Sequence, residues 1–69
     1  MAVGTRVRSL VELLSDTGTL IPKGSRGMVV GNAGERPVVD FEDPETGDHV
    51  TAECWRWEVR PLIEERVRR

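Results

Sequence analysis

A chain of 69 residues has room for one hydrophobic core, and a domain that small buries only about 60% of its unfolded surface. One cysteine and one histidine exclude an internal disulfide and a structural zinc site, so no staple supplements that core. Ten Lys and Arg against twelve Asp and Glu leave a formal charge of −2, which gives no overall field to draw in a polyanion; no apolar run approaches the roughly 20 residues of a membrane-spanning helix, and Met1 to Arg6 lacks the apolar stretch of a secretory signal, so a cytoplasmic protein is expected.

From Val3 to Leu13 the residues alternate, with Val3, Thr5, Val7, Ser9 and Val11 on one parity and Arg6, Arg8 and Glu12 on the other. That is the period of a half-buried strand with a solvated arginine face. Leu10, Val11, Leu13 and Leu14 also fit helical spacing, but a segment that short does not hold a helix by itself. Ser15-Asp16-Thr17-Gly18-Thr19 and Pro22-Lys23-Gly24 are clusters of turn formers, and between them a long loop is expected whose Leu20-Ile21 folds back onto the core. Gly27 to Gly31 reads as a short strand bounded by glycines, Asn32-Ala33-Gly34 as a turn, and Arg36 to Phe41 as the hairpin partner. Pro37 falls near that partner's start, where a missing N–H is tolerated.

Asp43 to Asp48 is a polar turn, after which His49 to Ala52 opens a second hairpin. Between Glu53 and Val59 the two tryptophans, Trp55 and Trp57, share a parity with Val59, while Cys54, Arg56 and Glu58 share the other. As a strand, this piece sets both indoles on one side. A 3₁₀ turn over Ala52 to Trp55 would instead part them. Pro61 ends the strand and leaves residues 63–69 as a short tail, with a basic group at Arg66, Arg68 and Arg69 and room for one or two helical turns.

Short strands at this spacing, with no room for a crossover helix, predict an all-β fold. Four to five antiparallel strands would close into a small barrel over residues 1–62, because an open sheet of this size exposes its edges. Four segments carry a resemblance: Gly4-Thr5-Arg6-Val7-Arg8, Pro22 to Val30, Val38-Val39-Asp40-Phe41, and Trp57 to Leu62. Together they resemble an SH3-like barrel, similar to the variable chain of ferredoxin-thioredoxin reductase and the small photosystem I stromal subunit, and more loosely to KOW-type modules. Such motifs mark architecture rather than activity. The resemblance implies a non-catalytic binding module, either a protein-interaction or accessory-subunit domain or, through the KOW likeness, a nucleic-acid binder.

The expected contacts are Arg6, Arg8, Lys23, Arg26 and Trp57, with another protein as the partner. On the nucleic-acid reading, Arg6, Arg8, Lys23, Arg26 and Arg36 face phosphates and Trp57 stacks on a base. The net charge and the acidic run Asp40, Glu42, Asp43, Glu45 and Asp48 oppose it. With one Phe and no Tyr in the chain, Trp55 and Trp57 are expected to join Phe41 in the core; the alternative makes at least one of them an exposed anchor. Neither catalysis, metal nor cofactor is expected. His49 beside Asp48 reads as a solvated turn histidine. Cys54 reads as a small buried hydrophobe, although a neighbour such as Arg56 is of the kind that lowers a thiol pKa. The acidic run lacks the ligand spacing of a calcium loop.

Overall fold

In a computed structural model of the protein, which describes residues 1–62, the opening alternation becomes strand β1 (Arg6–Ser9), with Val7 and Ser9 turned inward and Arg6 and Arg8 outward. The expected tail over residues 63–69 lies outside the described residues. Six further strands follow: β2 (Leu13–Leu14), β3 (Leu20–Ile21), β4 (Arg26–Ala33), β5 (Arg36–Glu42), β6 (His49–Glu53) and β7 (Val59–Pro61), with one 3₁₀ turn at Arg56–Glu58 between the last two. Five of them form one sheet in the order β6, β5, β4, β1, β7, and β2 pairs with β3 in a separate arm. All pairings are antiparallel. The fold is all-β, and among the described residues no helix is long and apolar enough to cross a membrane.

The first strand is shorter than the alternation suggested, and Val3 and Val11 stay exposed. Its end is fixed by hydrogen bonds around Ser9. The Ser9 carbonyl accepts from Gly24 N at 2.9 Å, and Leu10 N donates to Glu58 O at 2.8 Å, which turns the chain out of the sheet. The chain then enters the β2 and β3 arm, so Leu20-Ile21 is a paired strand rather than loop, with Ile21 buried and Leu20 exposed. The buried Ser9 hydroxyl clasps the base of this arm, donating to Pro22 O and accepting from Ser25 N, each at 3.0 Å. A buried hydroxyl left without partners costs about 1–3 kcal/mol, so a serine belongs here only because both bonds are made. Near the tip, Asp16 N donates to Thr51 O at 2.9 Å and ties the arm to β6.

Strand β4 runs through the glycines expected to bound it. Its hairpin to β5 turns over Gly34, at a φ of +65°, and Glu35. Asn32 and Ala33, expected in that turn, belong to the strand. Asn32 is held there by the chain start: its side-chain oxygen accepts from the Met1 amino group at 3.0 Å and its amide donates to Met1 O at 2.8 Å. Gly31 follows a register shift in the β4 and β5 pairing, as glycines at bulges do. Gly27 has a different role. It faces Phe41 across the strands, and a Cβ there would lie 2.7 Å from the Asp40 carbonyl oxygen, 2.7 Å from Val39 Cγ1 and 2.9 Å from Phe41 Cδ1.

The core gathers on the inner face around Phe41, with Val7, Val29, Val39 and Val59 from the main sheet, Ile21 from the arm, and Ala52 and Cys54. Inner and outer residues alternate without a break along β5, where Pro37, Val39 and Phe41 are buried. Gly27→Ala forces a methyl against backbone and should destabilise the domain by about 1–3 kcal/mol, whereas Gly31→Ala, with nothing within 4 Å of the new Cβ, should stay within about 0.5 kcal/mol. Urea titration of the two variants checks the contrast; equal midpoints would contradict the packing described.

Candidate functional site

The parity set by β6 decides where the tryptophans go. Ala52 is buried opposite Val39, and Glu53 lies outward opposite Val38. Continuing the alternation turns Cys54 in and Trp55 out. Cys54 is fully buried, with its N–H donated to Pro37 O at 2.9 Å. The 3₁₀ turn begins one residue after Trp55, later than the sequence suggested, and it restores Val59 to the inside. Glu58 locks the turn, since its carboxylate accepts from Trp55 N at 2.8 Å and its own N–H donates to Trp55 O at 2.9 Å.

Neither indole enters the core, which corrects the expectation that both would plug it. The inward position in this segment belongs to Cys54, and Phe41 with the valines already fills the interior. The 3₁₀ turn does not part the tryptophans either; it stacks them. Their ring centroids are 5.0 Å apart with planes 4° from parallel. The Arg36 guanidinium carbon sits 4.2 Å from the Trp55 ring centroid. Arg36 is steered there by Glu53, whose backbone oxygen accepts from Nη2 at 3.2 Å and whose carboxylate lies 3.6 Å from Nη1. Stacking of two aromatics adds about 0.5–1.5 kcal/mol, and an exposed cation–π contact about 0.5–1 kcal/mol, enough to order a surface indole pair. Trp55 is 39% exposed and Trp57 is 70% exposed, so the ring offered to solvent is that of Trp57.

Of the other expected contacts, Arg6, Arg8 and Arg26 share the outer face of the sheet. Arg8 lies directly opposite Arg26 on β4 and opposite Arg60 on β7. Arg6 faces Met28 in the adjacent row. Lys23 stands beside the row, in the turn before β4, and borders a surface hollow with Arg26 and Glu42. Trp57 is separate from these arginines, on the turn that leads into β7. Arg36, a phosphate contact on the nucleic-acid reading, is engaged with Trp55 and Glu53. Sequence reasoning passed over Arg60, although its place after the inward Val59 marks it as outward. Trp55, expected in the core with exposure of at least one indole as the alternative, is turned outward together with Trp57, since Ala52 and Cys54 are the small inward residues of this segment.

His49 pairs with Asp40 across the strands, Nδ1 to Oδ1 at 3.2 Å, rather than with its neighbour Asp48. Among the described residues no three His, Cys, Asp or Glu side chains come together as a metal-binding group. Comparison with protein-family models, with curated proteins and with solved structures finds no match to this chain.

The Cys54 thiol is pushed up to about 11 from an ordinary 9.0, first by burial and then by the Glu58 carboxylate, with Arg36 opposing weakly. Arg56 does not activate it. Its Sγ rests 3.6 Å from Ala52 O. At pH 8 a thiol reagent should therefore modify native protein at least 100-fold more slowly than protein in denaturant. Above pH 9 the unfolded chain loses this proton while the folded chain keeps it, so stability should fall by up to about 3 kcal/mol as pH rises from 9 toward 11. Denaturant titrations across that range check the slope, and Cys54→Ala should flatten it.

Proposed function

We propose that this chain is a non-catalytic, cytoplasmic protein-interaction module of the SH3-like type, anchored on its partner by Trp57. The observation that carries the reading is the 70% exposure of Trp57 in a chain with only two Trp, one Phe and no Tyr. A core this small would gain from any indole it could enclose, and here both stand outside. Tryptophan is the residue most enriched among interface anchors. Its stacking on Trp55 already restricts the side chain, which lowers the ordering cost of binding. The SH3-like assignment is supported by the strand order, by the arm inserted between β1 and β4, and by the 3₁₀ turn before the last strand. A lone buried cysteine with no disulfide accords with a reducing compartment.

Nucleic-acid binding is the second reading, favoured by the outward arginines Arg6, Arg8 and Arg26 and by the open indole face of Trp57. Quantitative affinity capture with the wild-type protein and with Trp57→Ala distinguishes the two. The variant should keep its thermal midpoint within a few degrees and lose about 30-fold in partner affinity, the equivalent of a 2 kcal/mol anchor. A variant that unfolds would return Trp57 to a structural role. Binding of RNA or DNA that tightens steeply as salt is lowered would transfer the function to the second reading.

A further inference from the structure

The outer face of the sheet has a charge pattern that its own stability does not explain. Arg26, Arg8 and Arg60 occupy matched positions on three neighbouring strands, β4, β1 and β7. Like charges directly opposite one another across antiparallel strands are destabilising. Among the described residues none of the three has a carboxylate within 4.0 Å, since the ion pairs there are Arg36 with Glu53 and His49 with Asp40. The adjacent row is mixed: Arg6 lies opposite Met28, and Leu62, whose N–H donates to Arg6 O at 2.8 Å, borders the same open concavity as both. A line of three arginines, with no carboxylate within 4.0 Å among the described residues, thus runs beside a row that includes Met28 and Leu62.

The spacing selects a partner. Neighbouring strands lie about 4.8 Å apart, so the row carries three guanidinium groups over roughly 10 Å. Same-side carboxylates on an extended peptide are about 6.7 Å apart and drift out of step. Carboxylates three and four residues apart on a helix are about 5–6 Å apart and stay in step. An Arg-carboxylate pair can be bidentate, which rewards that match. The row is short and flanked by acid, with Asp40 opposite Met28 on β5 and Glu42 on the same concavity as Arg26, so it suits a ligand whose negative charge spans only about 10 Å, as three carboxylates over two helical turns do, rather than a continuous phosphate backbone.

We infer that the outer face of β4, β1 and β7 docks an acidic amphipathic helix of a partner protein, its carboxylates on Arg26, Arg8 and Arg60 and its apolar ridge on Met28 and Leu62. This rests on the reading of the chain as a protein-interaction module.

The test uses the full chain and three labelled probes in fluorescence anisotropy. One is a helical peptide with Glu at i, i+4 and i+7 beside a Leu ridge, the second an isomer of identical composition with alternating Glu and a central proline, and the third oligouridylate. The helical peptide should bind at least 10-fold more tightly than its isomer. Arg8→Gln should cost about 10-fold in that affinity while the thermal midpoint holds or rises, because it relieves the charge row. Glu35→Gln, in the exposed turn between β4 and β5, at the far end of β4 from Arg26, should change affinity less than threefold. Equal binding of the two peptides, no binding of either, or an Arg8→Gln loss matched by a fall in midpoint would overturn the inference. If the peptides fail while the Trp57-dependent complex persists, only this inference falls; tighter binding of oligouridylate would overturn both it and the protein-interaction reading.

Discussion

Where β4 crosses β5, the backbone of Gly27 approaches so closely that a single methyl would meet the Asp40 carbonyl oxygen at 2.7 Å. The rest of the sheet depends on that approach. Phe41 is the one aromatic ring in the core, and it lies opposite Gly27. The absent side chain lets the ring and the neighbouring strand approach closely, and valines from β1, β4, β5 and β7 pack around the ring. Among the described residues the core has nine buried hydrophobic side chains, so a gap of one or two methylenes is a large fraction of the packing, because unfilled volume costs roughly in proportion to its size.

The same economy accounts for the placement of the aromatics. Once Phe41 occupies the centre, the inward position after Ala52 accommodates a thiol, and the indoles on either side of Arg56 are turned outward. The stack of Trp55 and Trp57 beside Arg36 is therefore a local structure laid on the surface of a finished core. It is held by the Glu58 lock on the turn and by Glu53 positioning of Arg36. Its order comes from short-range contacts, which leaves Trp57 available to another molecule. Cys54, by contrast, is fully buried, and burial keeps its thiol protonated.

On the outer face of the sheet, alternation turns Arg8, Arg26 and Arg60 outward, and antiparallel register then lines them up. Six acidic residues, Asp40, Glu42, Asp43, Glu45, Asp48 and Glu53, lie on the flank formed by β5, β6 and the turn between them, and a molecule with net charge −2 carries a basic strip beside it. Net charge describes the far field; at contact distance the register of the strands decides.

Much of this protein was legible residue by residue. The alternation of Val7 and Ser9 against Arg6 and Arg8, the turn formers between strands, the hairpin of β4 and β5 and that of β5 and β6 are local patterns, and local patterns are written in order along the chain. Lost from that view were the break after Ser9, which rests on bonds to Gly24 and Glu58 far away in sequence, and the passage of β4 through Gly27, which rests on Phe41. The tryptophans were misplaced for a related reason. Trp55, Trp57 and Val59 share a parity in the chain, but the 3₁₀ turn between Trp55 and Val59 resets which side is inside. Composition and alternation by themselves determined an all-β chain with one small core and an outward arginine face. Burial of Cys54 was legible as well; only the tertiary structure decided that the indoles stay outside the core and that Arg60 joins Arg8 and Arg26, because the first depends on the 3₁₀ turn and the second on the register between strands that the sequence holds apart.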